Sequence, residues 1–408
     1  MSQTVDQPQP LATARIEVFG FDVAEVSQIR RIRALIALGH DVHSFTMRRQ
    51  NMNVGFQPDW PNTHLSKTKN ENLLQRSAVV AASVMKMAGH RARIRQADMI
   101  LARNLDMLAI AYAARAIAGA TQVPLVYECL DIHGTLYGNS AKSRAMQAAE
   151  RFLLNRCQML VVSSPGFIRN YFEATQNYCG PWALWENKLA AGTALPKRPT
   201  TRPIRSSDAP LRIGWIGTIR CAPSLALLAT VADHFGDKLQ IVIHGVVHHH
   251  VLPDFNAMLA DRPNMVAYGA YDYPQDLPRI YGDCDVVWSQ DLWQRGGNSD
   301  WLLPNRIYEA SWAGCPSLAI GTTETGRRVA DDSLGWVIDL PEPDSLIALI
   351  ERLTPEMAAA RGQALLDRPQ SDFVQSESEI QSVIDRVIRK NPDDAGSALQ
   401  LHGGRQAG

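Results

Sequence analysis

The residue types and spacing best suited to chemistry lie between Leu292 and Ile320, LWQRGGNSDWLLPNRIYEASWAGCPSLAI. A segment with two glycines, Gly296 and Gly297, runs to Pro304, and an amphipathic helix is expected from Asn305 to a stop at Gly314. Arg306 and Glu309 stand about one turn apart at its start. The apolar run Ser317 to Ile320 reads as a buried parallel strand. A helix N-terminus favours an anion, an arginine pairs with phosphate, and a carboxylate can accept both hydroxyls of a ribose. This is a device for holding a sugar nucleotide. A surface ion pair at i,i+3 is the competing reading; the flanking loop and strand favour the site.

A second cluster, Glu128, Asp131 and His133, lies just past the strand expected at Pro124 to Tyr127. A carboxylate or imidazole placed there could take a proton from a hydroxyl nucleophile as a general base. A helix-capping Asp beside a solvated His is an equally good reading. Asp22 and Glu25, past the first expected strand, are alternative carboxylates, with helix N-terminal charge the better account of both. His248, His249 and His250 are adjacent, so their rings diverge and cannot easily share an ion, and no metal site is expected. Asp283, Asp285 and Asp291 have no metal-loop spacing either.

The elements that must position these residues alternate. Strands are expected at 15–19, 41–47, 99–102, 124–127, 159–162 and 182–185, with helices at 26–38, 73–96, 107–117, 141–155 and up to 172. Residues 48–70 read as irregular. Residues 190–210, with four prolines and no periodicity, read as a linker. The alternation restarts with strands at 212–216, 239–244, 264–268, 285–289, 317–320 and 335–338, and a last helix spans about 373–389. Two such runs imply an α/β chain of two doubly wound domains, with ligands beyond the carboxyl ends of the strands.

The chain has 408 residues, 46% hydrophobic, with 41 basic and 41 acidic side chains. A net charge of zero argues against a general nucleic-acid binder. The six cysteines form no CxxC pair, which fits free thiols in a reducing compartment. The N-terminus lacks the pattern of a signal peptide, and no apolar run approaches the ~20 residues of a membrane span. A cytoplasmic protein is expected. The basic stretch Lys86 to Arg95 could add peripheral contact with an anionic inner-membrane surface.

Four fragments in order carry a family resemblance: Gly217-Thr218-Ile219-Arg220, Gly245, Tyr268-Gly269-Ala270-Tyr271, and LPNRIYEASWAGCPSLAI. Together they resemble the donor half of a GT-B glycosyltransferase of the family-4-like group, and Gly39-His40-Asp41-Val42 agrees more loosely in the first half. Among such enzymes, those of bacterial exopolysaccharide assembly of the succinoglycan type are the most similar. The resemblance implies two Rossmann-like domains facing a central cleft. It divides the chain into an acceptor-side domain, 14–189, the linker 190–210, and a nucleotide-sugar domain, 211–370. A helix at 371–390 would pack back on the first domain, between disordered ends at 1–13 and 391–408. Carried over, Gly217, Thr218 and Arg220 would meet the diphosphate, with Gly245 at the next strand end. Tyr268, Gly269 and Tyr271 would flank the base. Asn305 opens the helix from which Arg306 would reach the diphosphate and Glu309 the ribose. Glu324, Thr325 and Gly326 would turn backbone amides to the phosphates.

The activity implied is transfer of a hexose, glucose from UDP-glucose, to a lipid-linked oligosaccharide or polysaccharide precursor. No cofactor, metal or nucleic acid is implied. One departure stands out: Trp301 occupies the position where many members carry a first glutamate, seven residues before Glu309. A non-catalytic GT-B protein that binds a sugar nucleotide or glycan is the alternative.

Overall fold

The computed structural model describes residues 13–49, 55–68, 73–190, 194–206 and 208–388. Nearly all of both disordered ends expected from the sequence lies outside them. The first sheet comprises β1 Arg15–Gly20, β2 Asp41–Arg49, β3 Asn62–Thr68, β4 Met99–Arg103, β5 Leu125–Cys129, β6 Met159–Val162 and β7 Trp182–Leu184. Its order is β3-β2-β1-β4-β5-β6-β7. The second sheet comprises β8 Leu211–Ile219, β9 Leu239–Val247, β10 Met265–Gly269, β11 Val286–Trp288, β12 Ser317–Ile320 and β13 Gly335–Ile338. Its order, β10-β9-β8-β11-β12-β13, repeats the same winding. The pairings of β8 with β9 and β11, and of β1 with β2 and β4, are parallel.

Strands such as β4 and β12 are buried along their whole length, because helices cover both faces of a parallel sheet. Each sheet therefore reverses its winding at one place, between β1 and β4 and between β8 and β11. A crevice opens there at the carboxyl ends, which is where such folds bind ligands.

Contacts divide the chain into two units. Among the described residues, the first comprises those up to Glu128, Phe152–Leu160 and 380–388; the second comprises Cys129–Arg151 and those from Val161 to Glu379. The division falls at the end of β5 rather than in the Pro-rich stretch expected to be a linker. Its described residues form no helix or strand, yet they are strapped to the second unit. Arg198 donates to the carbonyls of Trp312 (2.9 Å), Leu365 (2.9 Å) and Arg368 (2.7 Å), and Arg202 to those of Tyr281 (3.1 Å) and Cys284. These carbonyls lie at or near helix C-termini, where a cation is favoured.

Three elements differ from expectation. Residues 62–68 form a strand, because the alternating NTHLSKT pairs with β2 despite its polarity. The long helix expected at 73–96 is broken into Leu73–Lys86, a 3-10 turn at Met87–His90, and Arg91–Arg95. A helix also forms at Pro355–Leu366, capped by the Thr354 hydroxyl. The last helix runs Glu377–Ile388; from residue 380 onward it belongs to the first unit, where Gln381 meets His40 at 3.1 Å.

Candidate functional site

Within the second unit, Arg306 sits at the switch point. It lies in the first turn of the helix Asn305–Trp312, whose N-terminal residue, Pro304, provides no side-chain cap. Its Nη1 donates to the Trp288 carbonyl at the end of β11 (3.0 Å). Its Nη2 lies 3.5 Å from where a Cβ would stand on Gly217, in β8. The guanidinium thus bridges the two strands that flank the reversal. Its Nε is buried with no hydrogen-bond partner among the described residues. A buried donor left unsatisfied costs about 1–3 kcal/mol, and this Nε can donate to an acceptor that comes from outside the chain.

Gly217 and Gly245 face each other across β8 and β9, with φ of 117° and 146°. A Cβ on Gly245 would meet the Gly217 carbonyl oxygen at 1.7 Å. Only glycine allows this approach, which leaves backbone rather than side chains at the floor. Gly245→Ala is therefore expected to destabilise the second unit by about 2 kcal/mol or more, read as a lower urea midpoint. β8 runs to Ile219, beyond its expected end, so Gly217 and Thr218 are strand residues. Thr218 and Arg220 are exposed at the tip of β8, with the Arg220 guanidinium 6.0 Å from the Trp293 ring.

Glu309, 6% exposed, lies on the helix one turn beyond Arg306. The Tyr281 hydroxyl donates to its Oε2 at 3.2 Å. Burial, with the Glu309 and Tyr271 charges behind it, pushes the Tyr281 phenol far up, so it stays protonated and donating. Tyr281 thereby orients the carboxylate; nothing in its sequence context, LPRIYGD, marked it out. Tyr271 packs half-buried on the same core. Tyr268, 55% exposed at the end of β10, stacks on His244 with centroids 4.9 Å apart and planes 14° apart. Burial, then Arg279, holds the His244 ring below its usual pKa, so it is a neutral platform, one with no signature in the sequence. Gly269 closes β10 with φ 76°.

Glu324, Thr325 and Gly326 open the helix Glu324–Asp331. The Gly326 amide is occupied, donating to the Thr323 hydroxyl at 3.0 Å, and a Cβ there would lie 1.9 Å from the Ile320 carbonyl oxygen. Thr325 is fully buried and donates to the Leu302 carbonyl at 3.0 Å. Glu324 pairs with Arg169 and with Arg327, the latter at 2.8 Å. These side chains, and one of the three amides, therefore serve the fold of this loop.

The base candidates separate. Glu128 lies inside β5, opposite Arg103 of β4, not past a strand end. It is 1% exposed, with Arg31 at 3.0 Å on Oε1 and Arg103 at 2.8 Å on Oε2. Burial acts to raise its pKa, but the Arg103 and Arg31 guanidiniums together hold it below the usual carboxylate range. A buried carboxylate held by two cations is a poor proton acceptor, so the reading of Glu128 as a base is replaced by a structural one. Asp131 is exposed in the segment that belongs to the second unit. Asn298 clamps it, donating to Asp131 Oδ1 (3.1 Å) and accepting from the Ile132 amide (2.8 Å). His133 accepts from the Thr135 amide at 3.3 Å as a helix cap. Glu25 likewise caps the helix Val26–Ala37, accepting from the amides of Ser27 (2.9 Å) and Gln28 (2.7 Å). Asp22 is buried beside Arg49.

Trp301 has a packing role. Its ring meets Tyr137 edge to face at 5.2 Å, and its carbonyl accepts from the Ser164 hydroxyl. Gly166 lies so close that a Cβ would stand 2.4 Å from that carbonyl oxygen. Three side chains of the basic stretch 86–95 are held by the chain: the exposed Lys86 donates to the Leu65 carbonyl, Arg93 to Glu17 (2.9 Å) and the exposed Arg95 to the Ala118 carbonyl (2.6 Å). Among the described residues no helix is long and apolar enough to cross a membrane, and no group of three acidic, His or Cys side chains could hold a metal ion. The Cys157 and Cys315 thiols are pushed up to about 12 by burial, which leaves them inert.

No protein-family profile matches the chain. It is 36% identical over 340 residues to the succinoglycan biosynthesis protein ExoL of Rhizobium meliloti, spanning 83% of this chain and 84% of that protein. Solved structures similar to it include Anabaena HepE in complex with UDP and glucose (TM-score 0.64, 15% identity, 91% of this chain and 98% of that one). Another is WaaG, a glycosyltransferase involved in lipopolysaccharide biosynthesis (0.60, 15%, 91% and 99%). A third is the sucrose-phosphate synthase of Thermosynechococcus elongatus (0.65, 14%, 91% and 97%). These likenesses show the fold, the GT-B arrangement of two Rossmann-like units.

Proposed function

The chain belongs to the family of the succinoglycan biosynthesis protein ExoL, and from that premise we propose that it is a nucleotide-sugar-dependent glycosyltransferase of exopolysaccharide assembly. Its donor is a UDP-hexose, UDP-glucose in the first instance, and its acceptor is a hydroxyl of a lipid-linked glycan. The observation that carries this reading is the Arg306 guanidinium, held between β8 and β11 with a buried Nε that no group among the described residues satisfies. The diphosphate would sit on Arg306, the Gly217 backbone and the uncapped helix N-terminus, which together offset its charge without a metal. Glu309, oriented by Tyr281, would take the ribose hydroxyls, and Tyr268 on His244 would offer a face to the base. UDP-bound HepE supports the choice of nucleotide.

In the reaction the acceptor oxygen forms a bond to the anomeric carbon as the bond from that carbon to the phosphate oxygen breaks. The diphosphate leaves with the electron pair. The acceptor proton passes to a base or to the leaving phosphate. With Glu128 committed to arginines and His133 to a cap, Asp131 is the remaining carboxylate of its cluster, positioned by Asn298.

The test is transfer of radiolabelled glucose from UDP-glucose to lipid extracts of an exopolysaccharide-producing bacterium. Asp131→Asn is expected to lower turnover about 100-fold while UDP binding persists. Unchanged turnover would remove Asp131 from the chemistry. Trp301 in place of a carboxylate motivates a second reading, a protein that binds the nucleotide without turnover. Binding of UDP with no transfer to any extract would favour it.

A further inference from the structure

The loop that follows β11, residues 289–297, holds a large aromatic side chain out of the core beside the donor cradle. Leu292 is buried in the core of the second unit, whereas Trp293 is 41% exposed. The loop is braced. The Asp291 carboxylate accepts from the Trp293 amide (2.7 Å), the Ser299 hydroxyl from the Gln294 amide (2.7 Å) and the Asp300 carboxylate from the Gly296 amide (2.8 Å). The buried Gln290 ties the loop to the end of β12: its Nε2 donates to the carbonyls of Asp291 (3.0 Å) and Ser299 (3.3 Å), and its Oε1 accepts from the Ile320 amide (3.3 Å). Arg295 of the same loop pairs with Glu342, so the cation beside the indole is Arg220, at the tip of β8 and 6.0 Å from the ring. That distance is the outer limit of a cation–π contact, and the guanidinium does not cover the ring. Exposed apolar surface is costly, so the fold itself gains nothing from an indole held out by a fixed backbone. The ring is available to a ligand.

Strand order says which ligand group would reach it. In the donor reading above, the base lies against Tyr268 of β10 and the diphosphate on the Gly217 floor of β8. The sheet runs β10-β9-β8-β11, so the group bonded to the far phosphate comes next, over β11. Trp293 stands there, five residues beyond Trp288, the last of that strand. Trp301 does not serve, because its ring packs edge to face on Tyr137. We propose that Trp293 is the platform for the sugar of the donor, its indole covering a C–H face of the pyranose. The proposal rests on the donor reading and deepens it: this residue makes the site respond to the sugar as well as to the nucleotide. A pyranose carries its hydroxyls around the rim and C–H groups on its faces, so a face can be withdrawn from water against an aromatic ring while the rim stays solvated or hydrogen-bonded.

Calorimetric titrations of the full chain with UDP, UDP-glucose and UDP-galactose test this. In Trp293→Ala the ratio of UDP-sugar affinity to UDP affinity should fall about fivefold or more for at least one of the two sugars, with UDP affinity itself unchanged as the check on folding. Trp293→Tyr should recover most of the ratio. In wild type that same UDP-sugar should shift the indole emission to the blue beyond the effect of UDP, and Trp293→Tyr should lack the extra shift. Ratios unchanged for both sugars in Trp293→Ala, or UDP and UDP-sugars weakened equally, overturn the proposal and leave the donor reading standing. Wild type that binds neither UDP nor a UDP-sugar overturns the donor reading and this proposal with it, so the two failures are told apart.

Discussion

Arg306→Ala is expected to weaken UDP binding about 100-fold or more in calorimetric titration, with little change in thermal stability. Among the described residues the side chain bonds one carbonyl, that of Trp288. Its Nε, buried and unsatisfied, costs the free protein a donor that water or chain would otherwise pair. A diphosphate at the Gly217 floor would satisfy it through a charge-assisted bond of about 1.5–3 kcal/mol, and a second donor adds to that. Some 3 kcal/mol is about a hundredfold in affinity. Glu309→Ala removes the ribose contact and should cost less, about tenfold to a hundredfold, and should bring the Tyr281 phenol back toward its usual titration range by taking away a neighbouring negative charge. Equal UDP affinity in wild type, Arg306→Ala and Glu309→Ala would sink the donor assignment.

Glu128→Gln should be among the most destabilising single changes, about 3–5 kcal/mol in urea unfolding at pH 7. The substitution leaves Arg31 and Arg103, 7% and 2% exposed, without their common carboxylate. Arg103 keeps Gln28 (2.7 Å) and the Ser27 hydroxyl (3.0 Å), which are neutral, and a part-exposed carboxylate, Glu25, at 3.8 Å, which offsets its charge only weakly. A double variant, Arg103→Met/Glu128→Leu, should recover part of the loss, because it removes buried charges in pairs. The pH dependence has a definite sign. The folded-state pKa of Glu128 lies below its ordinary 4.5, so its contribution is complete above that value and is lost as pH falls through the lower folded value. Wild type should therefore lose stability in acid more steeply than Glu128→Gln. A catalytic role for Glu128 would instead show as lost turnover with unchanged stability.

The contrast between these two residues explains what was legible. Arg306 and Glu309 announce themselves because a single helix carries both and one turn sets their spacing. Gly245 does so because a Cβ there would meet the Gly217 carbonyl oxygen, and Gly217 because its φ of 117° favours glycine. Glu128 misleads because its strand runs on to Cys129, and its partners Arg31 and Arg103 lie 97 and 25 positions away. The strand β3 is hidden by polarity, since its pairing with β2 is a backbone matter. The straps of Arg198 and Arg202 are hidden because guanidiniums bind carbonyls, and every residue has a carbonyl.

Local chemistry and periodicity, which depend on near neighbours, thus determined two alternating parallel-sheet units and the cation and carboxylate of one helix start. The sequence alone also showed an aromatic residue, Trp301, in place of a carboxylate. Tertiary structure decided which charges are spent. It set Arg306 across β8 and β11 with one donor unsatisfied, locked Glu128 between two arginines, and tied Lys86, Arg93 and Arg95 to acceptors on the chain. It also held the Trp293 indole out of the core beside Arg220. The reason is physical: a charge acquires its meaning from burial and from partners brought close by chain winding, and neither quantity is local in sequence.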